Sequence, residues 1–382
     1  MTAKKPLYQT IVDYFHKEFA SGRLVSGNQI PTELELSAQF EVSRITVIRA
    51  VKELEHLGLV YRVKGRGSFV ADNKKWGSFT QSYKRTEPAL PMLSVVLPFN
   101  EQLGYELLAG VEKVCEQAGL YVSFHNSHGN PEREKEIIGK LRHDNVRGII
   151  IYPCSSLHNI ELFSDMLINK FPFVIVDRNI EGVETALVVS NNYQGSYEIT
   201  QHLIQLGHRK IAFVGTTMKQ FLSANERYRG YCQALIDACI TLRTEWLIDD
   251  FCELPVVKNS KPEELTANLM VSAEIVLKRL LALNQPPTAL VVSNDVTALY
   301  VVKAALLMGI AIPQEMSVTG FDNLPFTGHL EVPLTTVEQY FVTMGEQAAE
   351  ILVRFKANLK PAKTILDTKV IIRDSTAAPK SI

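Results

Sequence analysis

From Met92 to Phe321 the chain alternates short apolar runs with amphipathic stretches, and this alternation limits the possible folds more than any other feature. Leu93-Ser94-Val95-Val96-Leu97 is an apolar run stopped by Pro98, and Leu107, Leu108, Val111 and Val114 then recur at helical spacing. Leu120–Phe124, Val146–Tyr152 and Phe173–Val176 read as further strands, with the charged, helical segment Pro131–Leu141 between the first two. A second series follows Val188-Val189: Ile211–Gly215, Ala289–Val292 and Val318–Phe321, separated by helical stretches. Strand–helix alternation of this kind predicts a doubly wound parallel sheet, and two successive sets predict two lobes with a cleft between them.

In open α/β sheets, ligands bind beyond the carboxyl ends of the strands. Polar residues there are Asn100, Asn126, Asp177-Arg178, Asn294-Asp295 and Asp322-Asn323, with Arg227 early in the helix after the Gly215 strand. Asp, Asn and Arg converging on a cleft suit a polyhydroxylated ligand, because paired donors and acceptors grip adjacent hydroxyls. Phe99, Tyr105, Tyr193 and Phe221 are candidates to stack on its ring. Any single Asn in this set is equally a turn former or a helix cap.

The first 72 residues follow a different pattern. Leu7, Ile11, Phe15 and Phe19 mark an amphipathic helix stopped at Ser21-Gly22. Thr32 and Glu35 form a capping box opening a short helix to Phe40, and Ser43 starts a third, ended by Gly58. Two helices joined by a tight turn, the second with a polar start, describe a helix-turn-helix, whose second helix enters the major groove. After Gly58 the period becomes two: Leu59–Val63 and Ser68–Val70 flank Lys64-Gly65-Arg66-Gly67, a hairpin with a cationic tip. Candidate DNA contacts are Thr32, Glu33, Ser43, Arg44, Thr46 and Arg49 on the helices, and Lys64, Gly65, Arg66 and Gly67 on the wing.

From Pro6 to Ala71 the string L-Y-x-x-I, G-x-x-x-x-G-x-x-I-P-T-E-x-E-L, F-x-V-S-R-x-T-V, G-L-V-x-R-x-x-G-x-G-S-F-V resembles the GntR-type winged helix. Where that pattern has Arg directly after Thr-Val, this chain has Ile48, with Arg49 one step later. The body resembles the sensor domains of lac/galactose-type repressors. The likeness is carried by Gln201–Ala212, Glu226–Tyr231, Pro287-Thr288-Ala289, Asn294-Asp295, Gly309–Pro313, Ser317–Asp322 and Pro333–Val337, and it covers Met92 to Ser375. These domains share the periplasmic-binding-protein fold. The resemblance implies that Asp177, Arg227, Asn294 and Asp322 fall on effector-contact positions and that the chain dimerises through the body. The stretch Cys252–Thr266 departs from the family pattern and lengthens the second lobe.

The expected organisation is therefore an α+β winged helix-turn-helix domain over 1–72, a hinge over 73–91 containing Trp76, Phe79 and Tyr83, and a two-lobed α/β sensor over 92–375. Lobe 1 is expected over about 92–188 and 324–360, and lobe 2 over about 189–323 and 361–375.

Charge agrees with this division. Residues 1–75 hold 12 Lys/Arg against 8 Asp/Glu, whereas the rest holds 28 against 33. A basic head on an acidic body fits a nucleic-acid partner for the head. No apolar stretch reaches the roughly 18 residues of a membrane span. The start MTAKKPLYQT has no apolar leader core, so a cytoplasmic location is expected. The five cysteines (Cys115, Cys154, Cys232, Cys239 and Cys252) form no C-x-x-C pair and read as buried thiols. There is no G-x-x-x-x-G-K-[ST], no H-E-x-x-H and no metal spacing among the nine histidines, so neither a cofactor, a metal nor catalysis is expected. The expectation is a homodimeric DNA-binding regulator, a repressor released from a palindromic operator by a sugar or sugar phosphate. A nucleoside or amino-acid effector, or an enzyme carrying a DNA-binding head, are the alternatives.

Overall fold

A computed structural model of the chain describes residues 7–20, 23–56, 59–63, 66–71, 90–99, 102–215, 221–252, 254, 264–355 and 363–380. It divides into two compact units, Met1–Glu87 and Pro88–Ile382, and residues 73–89 of the expected hinge lie outside the described residues. Trp76, Phe79 and Tyr83 lie outside the described residues, as does most of Cys252–Thr266.

The first unit opens with helix α1 (Leu7–Ala20), whose Ile11, Val12, Phe15 and Phe19 are buried at helical spacing. In α2 (Glu33–Phe40) the Thr32 backbone N–H donates to the Glu35 carboxylate at 2.7 Å, and the Glu35 N–H donates to Thr32 Oγ1 at 3.3 Å. This reciprocal pair satisfies two amide donors that the first turn leaves over. Glu41 in the left-handed region (φ 52°) turns the chain into α3 (Arg44–His56), which buries Val47, Ala50, Val51 and Leu54. Strands β1 (Val60–Val63) and β2 (Gly67–Val70) form an antiparallel hairpin, with Tyr61 stacked on its cross-strand partner Phe69. Gly67 has φ 105°, a conformation that favours glycine, and a Cβ there would also have to displace the end of the flexible Gln29 side chain.

The second unit contains two parallel sheets. The larger collects β3 (Leu90–Leu97), which is followed by α4 (Gln102–Gln117), then β4 (Tyr121–Asn126) and α5 (Pro131–His143). It continues through β5 (Val146–Ile151), α6 (Ile160–Ile168), β6 (Phe173–Val176) and β7 (Leu187–Ser190). The chain then enters the second sheet through α7 (Asn192–Gln205), β8 (Ile211–Val214), α8 (Leu222–Asp237), β9 (Leu247–Ile248), α9 (Leu265–Leu281), β10 (Ala289–Val292), α10 (Asp295–Leu307) and β11 (Ser317–Thr319). It returns along β12 (Thr336–Glu338) and α11 (Phe341–Val353), and finishes with β13 (Lys363–Leu366) and β14 (Lys369–Ile371). The strand orders are β13-β7-β6-β5-β3-β4 and β11-β10-β8-β9, with β12 and β14 paired antiparallel.

The lobe boundaries differ from the expected ones. Strand β13 belongs to the first lobe, where Thr364 pairs with Val188, although residues from 361 on were expected in the second. Residues 335–338 lie with the second lobe, through the bridges Thr319↔Thr335 and Asp322↔Glu338, although 324–360 was expected in the first. Val337 is part of the second-lobe core and Phe341 of the first-lobe core, so the chain crosses between them. It also crosses at 190–192 and at 366–369. The reason for the difference is short edge pairing: β13 carries an alternating half-exposed pattern with Ile365 53% exposed, and a four-residue edge strand has little apolar signal.

Candidate functional site

The first unit presents α3 and the hairpin. Ser43 Oγ and Thr46 Oγ1 share a hydrogen bond of 2.8 Å at the start of α3, and Arg44 and Ile45 project outward, the latter 80% exposed. Glu33 on α2 accepts from Arg44 Nε at 3.3 Å and from Arg62 Nη2 at 3.0 Å, so one carboxylate holds a cation of α3 and one of the hairpin. These residues, with Thr32, Leu34 and Gly67, line a groove of about 470 Å³. Arg49 is exposed and stacks on the Tyr8 ring at 4.2 Å, while Ile48 beside it is half-buried. Arg66 is exposed on the hairpin, its carbonyl accepting from Gln29 Nε2 at 3.0 Å. Lys64 and Gly65 lie outside the described residues. Because the helix start, Arg44 and Arg62 share one side, this surface combines backbone donors with cations, the chemistry that meets phosphates and base edges.

In the second unit the strand ends bring charged groups from both lobes together. Asp177 ends β6 with φ 61° and is held there by its N–H donating to the Val188 carbonyl at 2.9 Å. Asp322 follows β11 with φ 119°, its N–H donating to the Val337 carbonyl at 2.8 Å. Non-glycine residues rarely adopt positive φ, and they persist where strand hydrogen bonds hold both sides. Arg227 on α8 is 7% exposed. Its Nε donates to Asn192 Oδ1 at 2.7 Å, its Nη1 donates to the Ser293 carbonyl and lies 3.4 Å from Asp322 Oδ1, and its guanidinium covers the Phe321 ring at 3.8 Å. The close approach of α8 to α7 that positions Arg227 depends on Gly230: a Cβ there would fall inside the Tyr193 carbonyl oxygen.

Arg178 donates from Nη1 to the carbonyls of Pro153 and Cys154 at 3.1 and 3.2 Å. Its guanidinium lies 4.9 Å from the Tyr152 ring and 4.0 Å from the Phe221 ring, and Phe99 meets Tyr152 edge-on at 5.0 Å. Phe221 and Arg178 come from different lobes, so this stack spans the cleft.

Burial pushes the Asp322 carboxyl up to about 6 despite Arg227, and the Asp177 charge adds to the rise. Burial and then the Asp322 charge push Asp295 up to about 8, although it accepts from Thr336 Oγ1 at 2.6 Å and from the Leu324 N–H at 2.8 Å. Burial, with Asp177 beside it, also raises the Tyr152 phenol. Among the described residues, Asp177 Oδ1 and Gln339 Oε1 are buried with no hydrogen-bond partner. Two orphaned acceptors in one cleft call for donors from outside, and hydroxyl groups supply them.

Among the sequence candidates, Phe99, Asp177, Arg178, Phe221, Arg227 and Asp322 come together. The others do not. Asn126 Oδ1 accepts from the His128 N–H at 2.7 Å, a local turn. Asn294 caps α10, accepting from the Thr297 N–H at 2.8 Å. Tyr105 is 56% exposed on α4. Tyr193 is half-buried on α7, and no hydrogen bond or ring contact among the described residues joins it to the cleft. Asn100 lies outside the described residues. The structure adds Tyr152, Asn192 and Gln339. The strand-end rule reaches Tyr152, directly after Ile151, and Asn192 opens the helix after β7. Gln339 follows a three-residue strand and has no sequence signal.

Residues 7–70 match the model of bacterial regulatory proteins of the gntR family, and residues 200–376 match that of a periplasmic binding protein-like domain. An arabinose metabolism transcriptional repressor of Geobacillus stearothermophilus is 28% identical over 93% of this chain and 93% of its own. The HTH-type transcriptional repressor PurR of Aliivibrio fischeri is 31% identical over 65% of this chain and 69% of its own. The chain belongs to the HTH-type transcriptional repressors, with a head that matches the gntR family and a periplasmic binding protein-like body. The repressor's sensor shares its fold with a LacI family transcriptional regulator from Enterococcus faecium with bound ribose, at a TM-score of 0.61 and 21% identity over 75% of this chain and 99% of that one. A DNA-binding head on a small-molecule sensor makes this repressor a regulator and not an enzyme. No helix among the described residues is long and apolar enough to cross a membrane.

Proposed function

We propose that this repressor acts in the cytoplasm as a homodimer on a palindromic operator near carbohydrate-utilisation genes, and that a sugar or sugar phosphate releases it. The observation that carries the effector class is the pair of orphaned buried acceptors, Asp177 Oδ1 and Gln339 Oε1, in a cleft that also holds Asp322 and Arg227. A polyol donates hydroxyl hydrogens to the carboxylates and accepts from the guanidinium, while Phe99, Tyr152 and Phe221 offer apolar ring faces. The names of the relatives support the same class, since one is an arabinose metabolism repressor and a structural neighbour holds ribose. Operator contacts are assigned to Ser43, Arg44, Thr46 and Arg49 of α3, to Thr32 and Glu33 of α2, and to the wing Lys64–Gly67.

The test is a thermal-shift screen of monosaccharides, their phosphate esters, nucleosides and amino acids, followed by operator anisotropy with each hit. A ligand at 100 times its Kd stabilises the native state by about 2.7 kcal/mol. A sugar that raises the melting temperature and weakens operator binding supports this function. A response confined to nucleosides or amino acids replaces the effector class.

A further inference from the structure

Helix α3 is apolar at the centre of the face it turns outward. Val47, Ala50, Val51 and Leu54 are buried and fix its inward side. At about 100° per residue, Ile45 stands opposite that side, and Ile48 lies beside Ile45 as its i+3 neighbour. Ile45 is 80% exposed and Ile48 is half-buried. Among the described residues, neither belongs to the core of the head or to the partly buried side chains packed on that core. Ile48 also takes the place where the gntR-type pattern carries Arg, so a strip of two isoleucines replaces a cation.

Folding gives no reason for this strip. A β-branched side chain is a poorer helix former than most, and an exposed one gains little from packing. The surroundings of the strip give a reason. Arg44 precedes it, and the exposed Arg49 and Lys52 follow it on the same outward side. Cations around an apolar strip match the layout of duplex DNA, where phosphates flank the groove and base edges lie between them. An isoleucine has no hydrogen-bond donor or acceptor, so it cannot read guanine, cytosine or adenine by their polar edges. The one apolar group on the major-groove edge of the bases is the 5-methyl of thymine.

We propose that Ile45, with Ile48 beside it, reads the 5-methyl group of a thymine in the operator. This rests on α3 lying in the major groove, as in the function proposed above. The contact excludes water from both apolar groups, and Arg44 on the same turn supplies the charged contact that holds the helix in place. Replacing the pattern's Arg by Ile48 gives up a bidentate hydrogen bond to a base and puts methyl recognition there instead.

The experiment uses the full chain and an operator duplex selected from a random pool. Each thymine is replaced singly by uracil, which removes the methyl and changes nothing else on the base. In the parent, uracil at one or two positions is expected to weaken binding about fourfold, the worth of one buried methyl. In Ile45→Ala the same replacements are expected to have no effect, because the methyl has already lost its contact. At those positions a C·G pair weakens parental binding, and 5-methylation of that cytosine is expected to restore about fourfold in the parent and nothing in the variant. The dependence of affinity on salt is expected to be the same in Ile45→Ala as in the parent, since no phosphate contact is lost.

A parent indifferent to uracil at every position overturns the proposal. So does an Ile45→Ala protein that keeps the parental uracil sensitivity, or one whose salt dependence becomes shallower, because Ile45 then acts by placing a cation. Arg44→Ala separates this failure from that of the helix assignment: if it too leaves operator binding unchanged, α3 does not enter the groove at all. Ile45 is far from the core, so the variant is expected to melt with the parent, and the uracil scan of the parent stands without it.

Discussion

Arg227 and Asp322 approach to 3.4 Å with both side chains 9% exposed, yet the guanidinium makes its closest hydrogen bonds elsewhere, to Asn192 and the Ser293 carbonyl. The pair is a poised arrangement, with Asp322 shared between a cation and the Gln339 amide.

Removing one partner leaves the other charge buried and alone, which costs about 3–5 kcal/mol. Arg227→Ala is expected to lower stability by that amount in urea denaturation and to abolish the effector response. Asp322→Asn keeps the shape and is expected to weaken effector binding by about tenfold or more, while sugar-free operator binding stays within about twofold. Calorimetry and anisotropy on the same preparations read the two effects separately.

Burial places Asp322 at about 6, so lowering the pH through that value protonates it and removes an acceptor. Effector affinity is expected to fall between pH 7 and pH 5, and titration calorimetry across that window checks it. Asp295 affects stability. Its folded pKa of about 8 lies above its ordinary 3.8, so the folded state keeps a proton that the unfolded state has released. Its contribution is fully present below the ordinary value and is lost as pH rises through about 8. Asp295→Asn is therefore expected to gain on the parent in melting temperature steadily from acid to pH 8, and parallel melting curves would refute this.

Every guanidinium described in the cleft is already engaged: Arg227 with Asp322, Asn192 and Ser293, and Arg178 with two carbonyls and two rings. A phosphate ester would face two carboxylates, Asp177 and Asp322, with Arg178 the one described cleft guanidinium that has no carboxylate partner among the described residues. Neutral sugars are expected to bind about tenfold or more tightly than their phosphate esters. Matched titrations decide the matter, and tighter binding of an ester would show that Arg178 or a cation outside the described residues serves the phosphate.

The Arg44 side chain is 69% exposed and, among the described residues, is held by Glu33. Arg44→Ala is expected to weaken operator binding by about 1–3 kcal/mol if it reads a base, or to lower the salt slope by about 1 if it meets a phosphate. Effector binding is expected to stay at the parental value in either case.

Gly230→Ala tests the packing that places Arg227. The added methyl meets the Tyr193 carbonyl, so α7 and α8 must separate. A stability loss of about 1–3 kcal/mol is expected, together with weaker effector binding.

The legible parts of the fold were those with long periodic signals. The capping box at Thr32 and Glu35, the helical spacing of Ile11, Phe15 and Phe19, and the buried runs of β5, β6 and β10 each state their structure locally. The crossings were not legible, because β12, β13 and β14 are three or four residues long and their partners lie far away in sequence. In the cleft, the charged residues at strand ends lie together, whereas two of the asparagines bond locally. Asn126 and Asn294 serve their own turn and helix, as short amide side chains often do. Gln339 was invisible because only tertiary pairing of β12 brings it to Asp322.

The late strands have a consequence for synthesis. Residues 363–377 complete both lobes: β13 extends the first sheet, β14 pairs with β12, Ser375 donates to the Val318 carbonyl and the Ala377 N–H donates to Ser317 Oγ. The head, by contrast, has its whole core within residues 11–70. Domains fold in order as the chain emerges, so the part that reads DNA is finished long before either lobe of the sensor. A chain cut short before these strands would carry a finished head on a sensor in which neither lobe is closed.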